Sequence, residues 1–459
     1  MTNEQNQTLT IVGAGPIGCV LATLLARRGF VVEIYEKRAD MRQVALGAGR
    51  SINLVLTRRG LRALERIGVR EAVLELTVPV LGRMMHGLDA SLAYQAYGKD
   101  PSECNYSVSR SRLNEFLLDA AEAAGVRIHF GHALIDADFD AQTLHFESDG
   151  QHKTVEAAVV IGCDGAPSGV RRALVEHEGF AENIAMMGSG YKELFFPPAP
   201  DGTYAMAGHA LHIWPRGHHF LMGLANLDGS FTGTLYLPVE GPNSFESLQT
   251  PEHVKTFFER HYPDAIALLD NFTDEFLEHP MGQLGTVRVV PWHLGGRVLL
   301  VGDAAHGIVP FFGQGLNAGF EDCVVLDELF ATGNALETIF ETFSTQRKPH
   351  TDAIADLALE NFVEMSEKVG DPGFLMRKKV EAILERELGD VYRSRYAMVM
   401  YSYIPYGVAF EIGQAQQEIL ATLTVGLSAP EHVDLVAARR LIAQRLEPLY
   451  ARYEVDLGF

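Results

Sequence analysis

The N-terminal segment restricts the fold more than any other part of the chain. Residues 8–18 read TLTIVGAGPIG, an apolar strand that runs into three spaced glycines, Gly13, Gly15 and Gly18. A helical pattern follows, and a second strand over residues 31–35 ends at Glu36. In such a unit the glycines provide a tight turn, the approach of a pyrophosphate and close helix–strand packing, while the acidic residue binds a ribose hydroxyl. The segment predicts a dinucleotide site, with a glycine-rich packing turn as the alternative.

A second glycine-rich segment, residues 297–323, reads RVLLVGDAAHGIVPFFGQGLNAGFEDC. Its apolar strand ends at Gly302-Asp303, which places a carboxylate where a ribityl or ribose hydroxyl can reach it. The later turn Gly313-Gln314-Gly315 opens a helix near Leu316. Because backbone N–H groups at a helix N-terminus attract anionic or electron-rich atoms, this segment predicts the partner of the first motif.

Length and charge narrow the class of protein. A chain of 459 residues can bury a large core and is expected to form two or three domains. The net charge is −21, and no basic patch stands out, so nucleic acid is not an expected partner. The assembly state stays open, with a homodimer as one alternative.

The cysteines and histidines indicate reduced thiols and no metal site. The four cysteines form no CxxC pair, which favours a cytosolic protein over a disulfide framework; they are Cys19, Cys104, Cys163 and Cys323. His212, His218 and His219 have no carboxylate at ligand spacing, so no metal is expected. The polar start MTNEQNQT lacks a targeting core, and no apolar run is long enough to span a bilayer.

The order of patterns predicts an α/β fold made of discontinuous parts. A Rossmann-like nucleotide-binding domain is expected over residues 1–75, 100–180 and 286–345. An inserted β-sheet substrate domain is expected over residues 76–99 and 181–285. One face of its sheet is expected to cover an apolar group. A helical C-terminal region is expected over residues 346–459.

Three local patterns predict details of these domains. Asp149-Gly150 is typical of a hairpin turn between two alternating segments. The segment Ser428-Ala-Pro-Glu431 predicts a capping box at the start of a late helix. Glu321 and Asp322 are interpreted as acidic residues that favour the dipole at a helix start, not as an acid–base dyad.

Three motifs in order, GAGPIG (13–18), CDGAPSGVRR (163–172) and GDAAH (302–306), give the chain a family resemblance. The set resembles the single-component FAD aromatic hydroxylases, which are similar to p-hydroxybenzoate hydroxylase. Four further segments are similar to the kynurenine 3-monooxygenase family in particular: GAGRSINLVLTRRG (47–60), YSVSRSRLNEFLL (106–118), VPFFGQGLNAGFEDC (309–323) and LENFVEMSEKV (359–369). The resemblance covers nearly the whole chain.

The resemblance implies which residues contact FAD. The implied ADP-binding turn and ribose acceptor are Gly13, Gly15, Gly18 and Glu36. Arg110 is implied near the ribityl–pyrophosphate region, and Asp303 at the ribityl chain. The implied backbone cradle at the pyrimidine edge of the isoalloxazine is formed by Gly315, Leu316 and Asn317.

The resemblance also implies a substrate site. Arg83 and Tyr97 match the pair that holds an amino-acid carboxylate, and Asn361 and Met365 match pocket positions. The implied apolar ring pocket consists of Leu211, Phe220, Met222, Leu224, Tyr236, Pro310, Phe311 and Phe312. The chain departs from the family pattern at two of these residues, because Phe is common at the Tyr236 position and some bacterial members have His at the Phe312 position.

The implied reaction converts L-kynurenine to 3-hydroxy-L-kynurenine with FAD, NADPH and O2, through a flavin C4a-hydroperoxide. The ring amine makes the substrate electron-rich, so no catalytic acid or base is assigned, and His306 is interpreted as a structural donor. Eukaryotic members carry a C-terminal membrane anchor, whereas this chain resembles a soluble, cytoplasmic bacterial form. The alternatives are a related flavin hydroxylase acting on another aromatic carboxylate, and a non-enzymatic protein of the same architecture that binds a lipid or a protein.

Overall fold

The computed structural model of the protein describes residues 8–43, 53–366 and 371–457. The resembling segments at residues 47–60 and 359–369 therefore lie partly outside the described ranges. The strands are β1 (Thr8–Val12), β2 (Val31–Tyr35), β3 (Asn53–Leu56), β4 (Thr77–Val80), β5 (Gly82–His86), β6 (Leu92–Ala96), β7 (Asn105–Ser109), β8 (Arg127–His129), β9 (Ala133–Asp138), β10 (Thr143–Ser148), β11 (Gln151–Glu156), β12 (Val159–Gly162), β13 (Ala181–Phe196), β14 (Ala210–Pro215), β15 (Phe220–Ala225), β16 (Phe231–Pro238), β17 (Gly282–Val290), β18 (His293–Leu294) and β19 (Val298–Leu300).

The helices alternate with strands in the first part of the chain and follow one another in the last part. They are α1 (Pro16–Arg27), α2 (Arg58–Arg66), α3 (Arg70–Leu74), α4 (Arg110–Ala123), α5 (Gly169–Leu174), α6 (Pro251–His261), α7 (Pro263–Ile266), α8 (Phe272–Glu278), α9 (Asp303–His306), α10 (Gly315–Phe330), α11 (Leu336–Ser366), α12 (Pro372–Glu387), α13 (Arg395–Tyr401), α14 (Tyr406–Leu423), α15 (Leu435–Arg445) and α16 (Glu447–Arg452). None of the helices in the described ranges combines the length and apolarity needed to cross a bilayer.

The chain divides into two compact units, each built from three stretches of sequence. Unit 1 comprises Met1–Thr77, Ser107–Met187 and Gln283–Ala355. Unit 2 comprises Val78–Tyr106, Gly188–Gly282 and Asp356–Phe459. This division groups residues 356–459 with the strands of unit 2, and a separate C-terminal helical region stays a prediction.

The main sheet of unit 1 is a largely parallel sheet with the strand order β18-β19-β12-β1-β2-β8. β1 lies between β2 and β12 and is parallel to both, and β12 is parallel to β19. Most residues of β1, β12 and β19 are buried, as expected for parallel strands covered on both faces. Because these three neighbours are parallel, their carboxyl ends meet at one edge, where open α/β sheets bind ligands.

A small antiparallel sheet of unit 1, β11-β10-β9, contains the predicted hairpin. Ser148 pairs with Gln151 across the turn. Asp149 and Gly150 have φ values of 53° and 72°, the left-handed conformation that a two-residue hairpin turn requires. The Asp149-Gly150 prediction is confirmed.

Within unit 2 the strands follow the order β13-β16-β15-β14-β5-β6, and the sheet buries one face in an aromatic core. α6, α7 and α8 contribute the opposing side of this core, through residues such as Phe258, Ala265 and Phe276. The sheet residues of the core alternate along each strand, as period-two packing requires; they include Leu194, Phe196, Trp214, Leu221, Phe231 and Leu235.

The start of α15 differs from the sequence prediction. Residues Pro430–His432 form a 3-10 turn, so Ser428 and Glu431 do not flank a helix start. Asp434 caps α15 instead, and its carboxylate accepts hydrogen bonds from the N–H groups of Val436 and Ala437, both at 2.9 Å. The capping-box prediction was wrong because Asp434, the residue directly before the helix, satisfies two of the exposed N–H groups of this helix.

Candidate functional site

The first glycine-rich turn gives each glycine a different geometric role. Gly13 has φ +105°, and a Cβ there would lie 2.5 Å from the carbonyl oxygen of Cys163. Gly18 packs so closely that a Cβ would lie 2.1 Å from the carbonyl oxygen of Gly13. Gly15 faces open space, with no atom within 4 Å of a Cβ. The turn is therefore closed on two sides and open on the third, next to the N-terminus of α1, as a pyrophosphate site requires.

Glu36 lies at the carboxyl end of β2 and is 5% exposed. Its carboxylate accepts a hydrogen bond from Ala14 N at 2.8 Å and another from Arg38 Nε at 2.7 Å. Burial by itself raises the pKa of Glu36, but the hydrogen bonds from Arg38 and Ala14 outweigh burial and lower it. The carboxylate is thus ionised beside the turn and retains lone-pair capacity for a ribose hydroxyl.

Asp303 is the first residue of α9, directly after Gly302, whose φ is 64°. Surrounding protein atoms desolvate the carboxyl group and raise its pKa, while His306 and Arg110 partly offset that effect. In the described residues no hydrogen bond reaches this side chain, although the residue remains partly exposed. A desolvated carboxyl group that receives no hydrogen bond from the described residues, near the Arg110 guanidinium, fits a ligand that supplies hydroxyl donors.

The residues of the predicted backbone cradle lie at the N-terminus of α10. Gly315, Leu316 and Asn317 form the first turn of this 16-residue helix, and no side chain caps it at Gln314. The Asn317 side chain has a separate role, because its Oδ1 accepts from Thr57 N at 2.9 Å and its Nδ2 donates to Val55 O at 2.8 Å. The side chain fixes the helix start, and the N–H groups of the first turn of an α-helix have no intrahelical partners, which suits an electron-rich ligand.

Ile17 joins the two glycine-rich segments. A Cβ at Gly302 would lie 2.6 Å from Ile17 Cδ1, and a Cβ at Gly319 would lie 2.3 Å from the same atom. Arg171 of the CDGAPSGVRR motif (163–172) donates to the Ala304 carbonyl oxygen at 3.1 Å. Asp164 of the same motif accepts hydrogen bonds from Ser168 and Gly169. The three motifs that carry the family resemblance are therefore in contact within unit 1.

A buried ionic network behind Asp303 was not found from the sequence. Asp322 Oδ2 lies 2.5 Å from His306 Nε2 and 3.1 Å from Gly302 N, and its Oδ1 lies 2.7 Å from Arg347 Nε. Burial alone raises the pKa of Asp322, but His306 and Arg347 outweigh it and lower the pKa. His306 is thus placed as a structural partner of Asp322.

Glu321 belongs to the same network. It is paired with Arg59 and with Arg347, whose Nη1 lies 2.7 Å from Glu321 Oε2. Glu321 and Asp322 are in the interior of α10, two turns past its start, so the interpretation that they favour the helix dipole was wrong. Their partners lie far away in sequence, which is why no local pattern indicated the network.

Five of the predicted ring-pocket residues share one face of the unit 2 sheet. Phe220 pairs with Tyr236, and Leu211 pairs with Arg83, so the members of each pair point to the same side. We call this side the open face, because it lies opposite the aromatic core. It carries Arg83, Leu211, Phe220, Met222, Leu224 and Tyr236.

Arg83 and Tyr97 lie close together at the β5–β6 end of the open face. Arg83 Nε donates to Gln95 Oε1 at 2.8 Å. Burial raises the pKa of Tyr97 to about 12, although Arg83 and Tyr396 act in the opposite direction. The Tyr97 ring stacks on Tyr396 with a centroid distance of 5.3 Å. At neutral pH this region therefore presents a guanidinium beside a neutral phenol.

The C-terminal part of α11 reaches the same face of unit 2. The ring of Phe362 lies 6.4 Å from the ring of Phe220. Its neighbour Asn361 donates to Met365 Sδ at 3.5 Å, one helical turn later. Pro310, Phe311 and Phe312 belong to unit 1, in a 3-10 turn just before the α10 cradle, where both phenylalanines are buried and Pro310 is exposed.

These features define a class of protein. Unit 1 offers an open glycine turn, a desolvated carboxyl group and a helix N-terminus along one sheet edge, and these fit the pyrophosphate, ribityl chain and ring edge of FAD. Among the described His, Cys, Asp and Glu side chains, no group of three could hold a metal ion. Residues 5–358 match the family model described as an FAD binding domain. The unit is thus a flavin-binding α/β fold, as the sequence predicted.

Proteins of similar sequence identify the family within this class. The chain is 47% identical to a protein named kynurenine 3-monooxygenase from Myxococcus xanthus, over 98% of this chain and 97% of that protein. It is 41% identical to a protein of the same name from Xanthomonas axonopodis pv. citri, over 98% of this chain and 99% of that protein. The chain belongs to the kynurenine 3-monooxygenase family of FAD-dependent monooxygenases, which confirms the resemblance found from sequence motifs.

Solved structures share the fold. A 2-methyl-3-hydroxypyridine-5-carboxylic acid oxygenase matches with a TM-score of 0.64 and 22% identity, over 80% of this chain and 94% of that chain. A tetracycline destructase matches with a TM-score of 0.60 and 16% identity, over 80% of this chain and 93% of that chain. The predicted α/β architecture with additional sheets and C-terminal helices is therefore confirmed.

Proposed function

We propose that the protein hydroxylates L-kynurenine to 3-hydroxy-L-kynurenine, with bound FAD, NADPH as hydride donor and O2 as oxidant. Bound FAD supplies hydride acceptance from NADPH and activation of O2. The observation that carries the substrate assignment is the placement of Arg83 and Tyr97 beside an apolar open face. A cytoplasmic location belongs to the same proposal and is supported by four buried, free cysteines.

The amino-acid end of the substrate is held by Arg83 and Tyr97. A guanidinium donates two parallel hydrogen bonds to a planar carboxylate, and a neutral phenol adds one more. The raised pKa of Tyr97 keeps its hydroxyl protonated at neutral pH, so it acts as a donor. Asn361 supplies a further polar group from α11.

The ring end of the substrate packs on the apolar side chains of the open face. Phe220 and Leu224 are buried, and Tyr236 stacks on Phe220 with a centroid distance of 4.7 Å. Apolar packing positions the ring and excludes water. Because the ring amine already makes the neighbouring carbon electron-rich, no residue of the chain is needed to deprotonate the substrate.

The cofactor is held by residues of unit 1. Gly13, Gly15 and Gly18 form the turn that admits the pyrophosphate, and Glu36 accepts from the adenosine ribose. Asp303 accepts from the ribityl hydroxyls, with Arg110 nearby. The N–H groups of residues 315–317 at the α10 N-terminus stabilise negative charge at the ring edge.

The test of this proposal measures cofactor, turnover and product together. The purified protein should carry one FAD per chain, oxidise NADPH faster when L-kynurenine is added, and yield a product heavier by one oxygen atom. If L-kynurenine accelerates NADPH oxidation but only hydrogen peroxide forms, the substrate assignment fails. A panel of other aromatic carboxylates then tests the related-hydroxylase alternative, which the Tyr236 hydroxyl on the open face favours.

Replacement of Arg83 tests the carboxylate site. Arg83→Ala should raise KM for L-kynurenine roughly 30-fold or more, since truncating a charged hydrogen-bonding partner costs at least about 2 kcal/mol. Arg83→Lys should give an intermediate KM, because lysine retains the positive charge but cannot donate the two parallel hydrogen bonds of a guanidinium. Arg260→Ala, an exposed arginine of α6, is the matched control and should leave KM unchanged. An unchanged KM for Arg83→Ala contradicts the assignment.

A further inference from the structure

Within the described ranges of the chain, the Arg83 guanidinium is anchored on its Nε edge only. Its Nε donates to Gln95 Oε1 at 2.8 Å, and in the described residues neither Nη1 nor Nη2 has a hydrogen-bond partner. No carboxylate in the described part of the chain forms an ion pair with it. Arginines with a fixed Nε edge and an available Nη edge are pre-organised for end-on contact with a carboxylate.

The backbone around this contact is tightly defined. Arg83 and Gln95 are direct partners across the antiparallel β5–β6 pair. A Cβ at the preceding Gly82 would lie 2.4 Å from the Gln95 carbonyl oxygen, so the glycine permits β6 to lie this close to β5. Tyr97 N also donates to Leu81 O at 3.0 Å, which holds the end of the hairpin next to Arg83.

The chemical identity of residue 95 matters because glutamine is neutral. Its amide oxygen accepts from Nε without cancelling the positive charge of Arg83. A glutamate at the same position would accept the same hydrogen bond and would also pair the charge, which would weaken the attraction for a second carboxylate. The hairpin therefore fixes the orientation of the guanidinium and preserves its charge.

From this geometry we propose that Gln95 is a positioning residue that makes Arg83 selective for the carboxylate of the substrate. The proposal rests on the proposed function, since it concerns how that substrate is recognised. Gln95 acts through Arg83 and needs no contact with the substrate itself. Removal of its amide should therefore affect ligands that have a carboxylate and spare those that lack one.

The experiment compares L-kynurenine with its carboxamide, using calorimetric titration of the FAD-loaded protein. Gln95→Leu should raise Kd for L-kynurenine about tenfold, the factor that about 1.4 kcal/mol represents, and should change Kd for the carboxamide by less than about twofold. Gln95→Glu should weaken L-kynurenine further, because the new carboxylate pairs with Arg83, and should again spare the carboxamide. kcat at saturating L-kynurenine should stay near that of the wild type in Gln95→Leu.

A matched control separates positioning from general damage. Gln151→Leu makes the same change at an exposed residue of β11 in unit 1 and should leave both Kd values unchanged. Equal weakening of both ligands by Gln95→Leu, or no weakening of either, overturns the proposal. Failure of the wild-type protein to bind L-kynurenine at all overturns the proposed function, and the Gln95 proposal with it, before any variant is compared.

Discussion

At the scale of single residues, the first turn separates the glycines that the fold needs from the one that we propose the cofactor needs. Gly13 and Gly18 are constrained by protein atoms, whereas Gly15 has open space around it. Gly15 also has φ −71° and ψ 174°, a conformation that any residue adopts. Glycine is therefore required in this motif for two different physical reasons, close packing and open space for a ligand, and mutations can distinguish them.

Gly18→Ala should destabilise the protein itself. Its new Cβ would lie 2.1 Å from the Gly13 carbonyl oxygen, so the backbone must shift, at a cost of about 1–3 kcal/mol. Gly15→Ala should leave the FAD-free protein as stable as the wild type and raise Kd for FAD about tenfold or more. Urea unfolding of the FAD-free protein and fluorescence titration with FAD measure the two effects. Equal loss of stability in both variants would contradict this division of roles.

Residues that act through their sequence neighbours could be predicted, and residues that act through distant partners could not. The glycine spacing and the Asp149-Gly150 turn are local, because turn geometry is determined by adjacent φ and ψ angles. Asp322 gains its role from His306 and Arg347, and the periodicity of α10 contains no information about Arg347. The placement of the open-face residues came from family resemblance, and their alternation along β15 and β16 agrees with period-two strand geometry.

At the scale of elements, β15 and β16 each serve two purposes. Alternate residues of β16 point into the aromatic core, as Leu235 does, or onto the open face, as Tyr236 does. In β15, Leu221 lies in the core and Met222 on the open face. A shift of register by one residue would exchange the two sets, so stability and the proposed substrate contacts are linked through strand pairing.

Substitutions on opposite faces of these strands should separate stability from binding. Leu235→Ala should lower the free energy of unfolding by about 2–5 kcal/mol, since Leu235 is fully buried in the core. Met222→Ala should lower it by less than about 1 kcal/mol and should raise KM for L-kynurenine. Urea unfolding and steady-state kinetics provide the two measurements. A larger loss of stability in Met222→Ala than in Leu235→Ala would show that the faces are assigned incorrectly.

At the scale of the whole molecule, a buried histidine chain links stability to pH. His212 Nε2 lies 3.0 Å from the Ala207 carbonyl oxygen, which can only accept, so this nitrogen carries a proton. His212 Nδ1 then accepts from His86 Nε2 at 2.8 Å, and His86 Nδ1 lies 3.1 Å from Asp264 Oδ2. Burial, opposed by the hydrogen bond to the Ala207 carbonyl and aided by His86, lowers the pKa of His212 to about 4.

The free energy of unfolding should therefore fall as the pH is lowered from about 6.5 to about 4. In that interval the unfolded chain binds a proton at residue 212 that the folded chain does not, so stability rises with pH. His212→Gln should reduce the slope by up to about 1.4 kcal/mol per pH unit. Urea unfolding at several pH values measures the slope, and His152→Gln, at an exposed residue of β11, is the control. Identical slopes in His212→Gln and the wild type would exclude this contribution.

The edge where β1, β12 and β19 end joins residues 13, 163 and 302, which the chain reaches at very different times. A ribosome has to translate most of the message before the last of these strands emerges. Until then the edge of β12 that pairs with β19 has no partner, and the sheet edge lacks Asp303. Chaperones that bind extended apolar segments would have this interval in which to act, and flavin colour would report only chains that extend past residue 302.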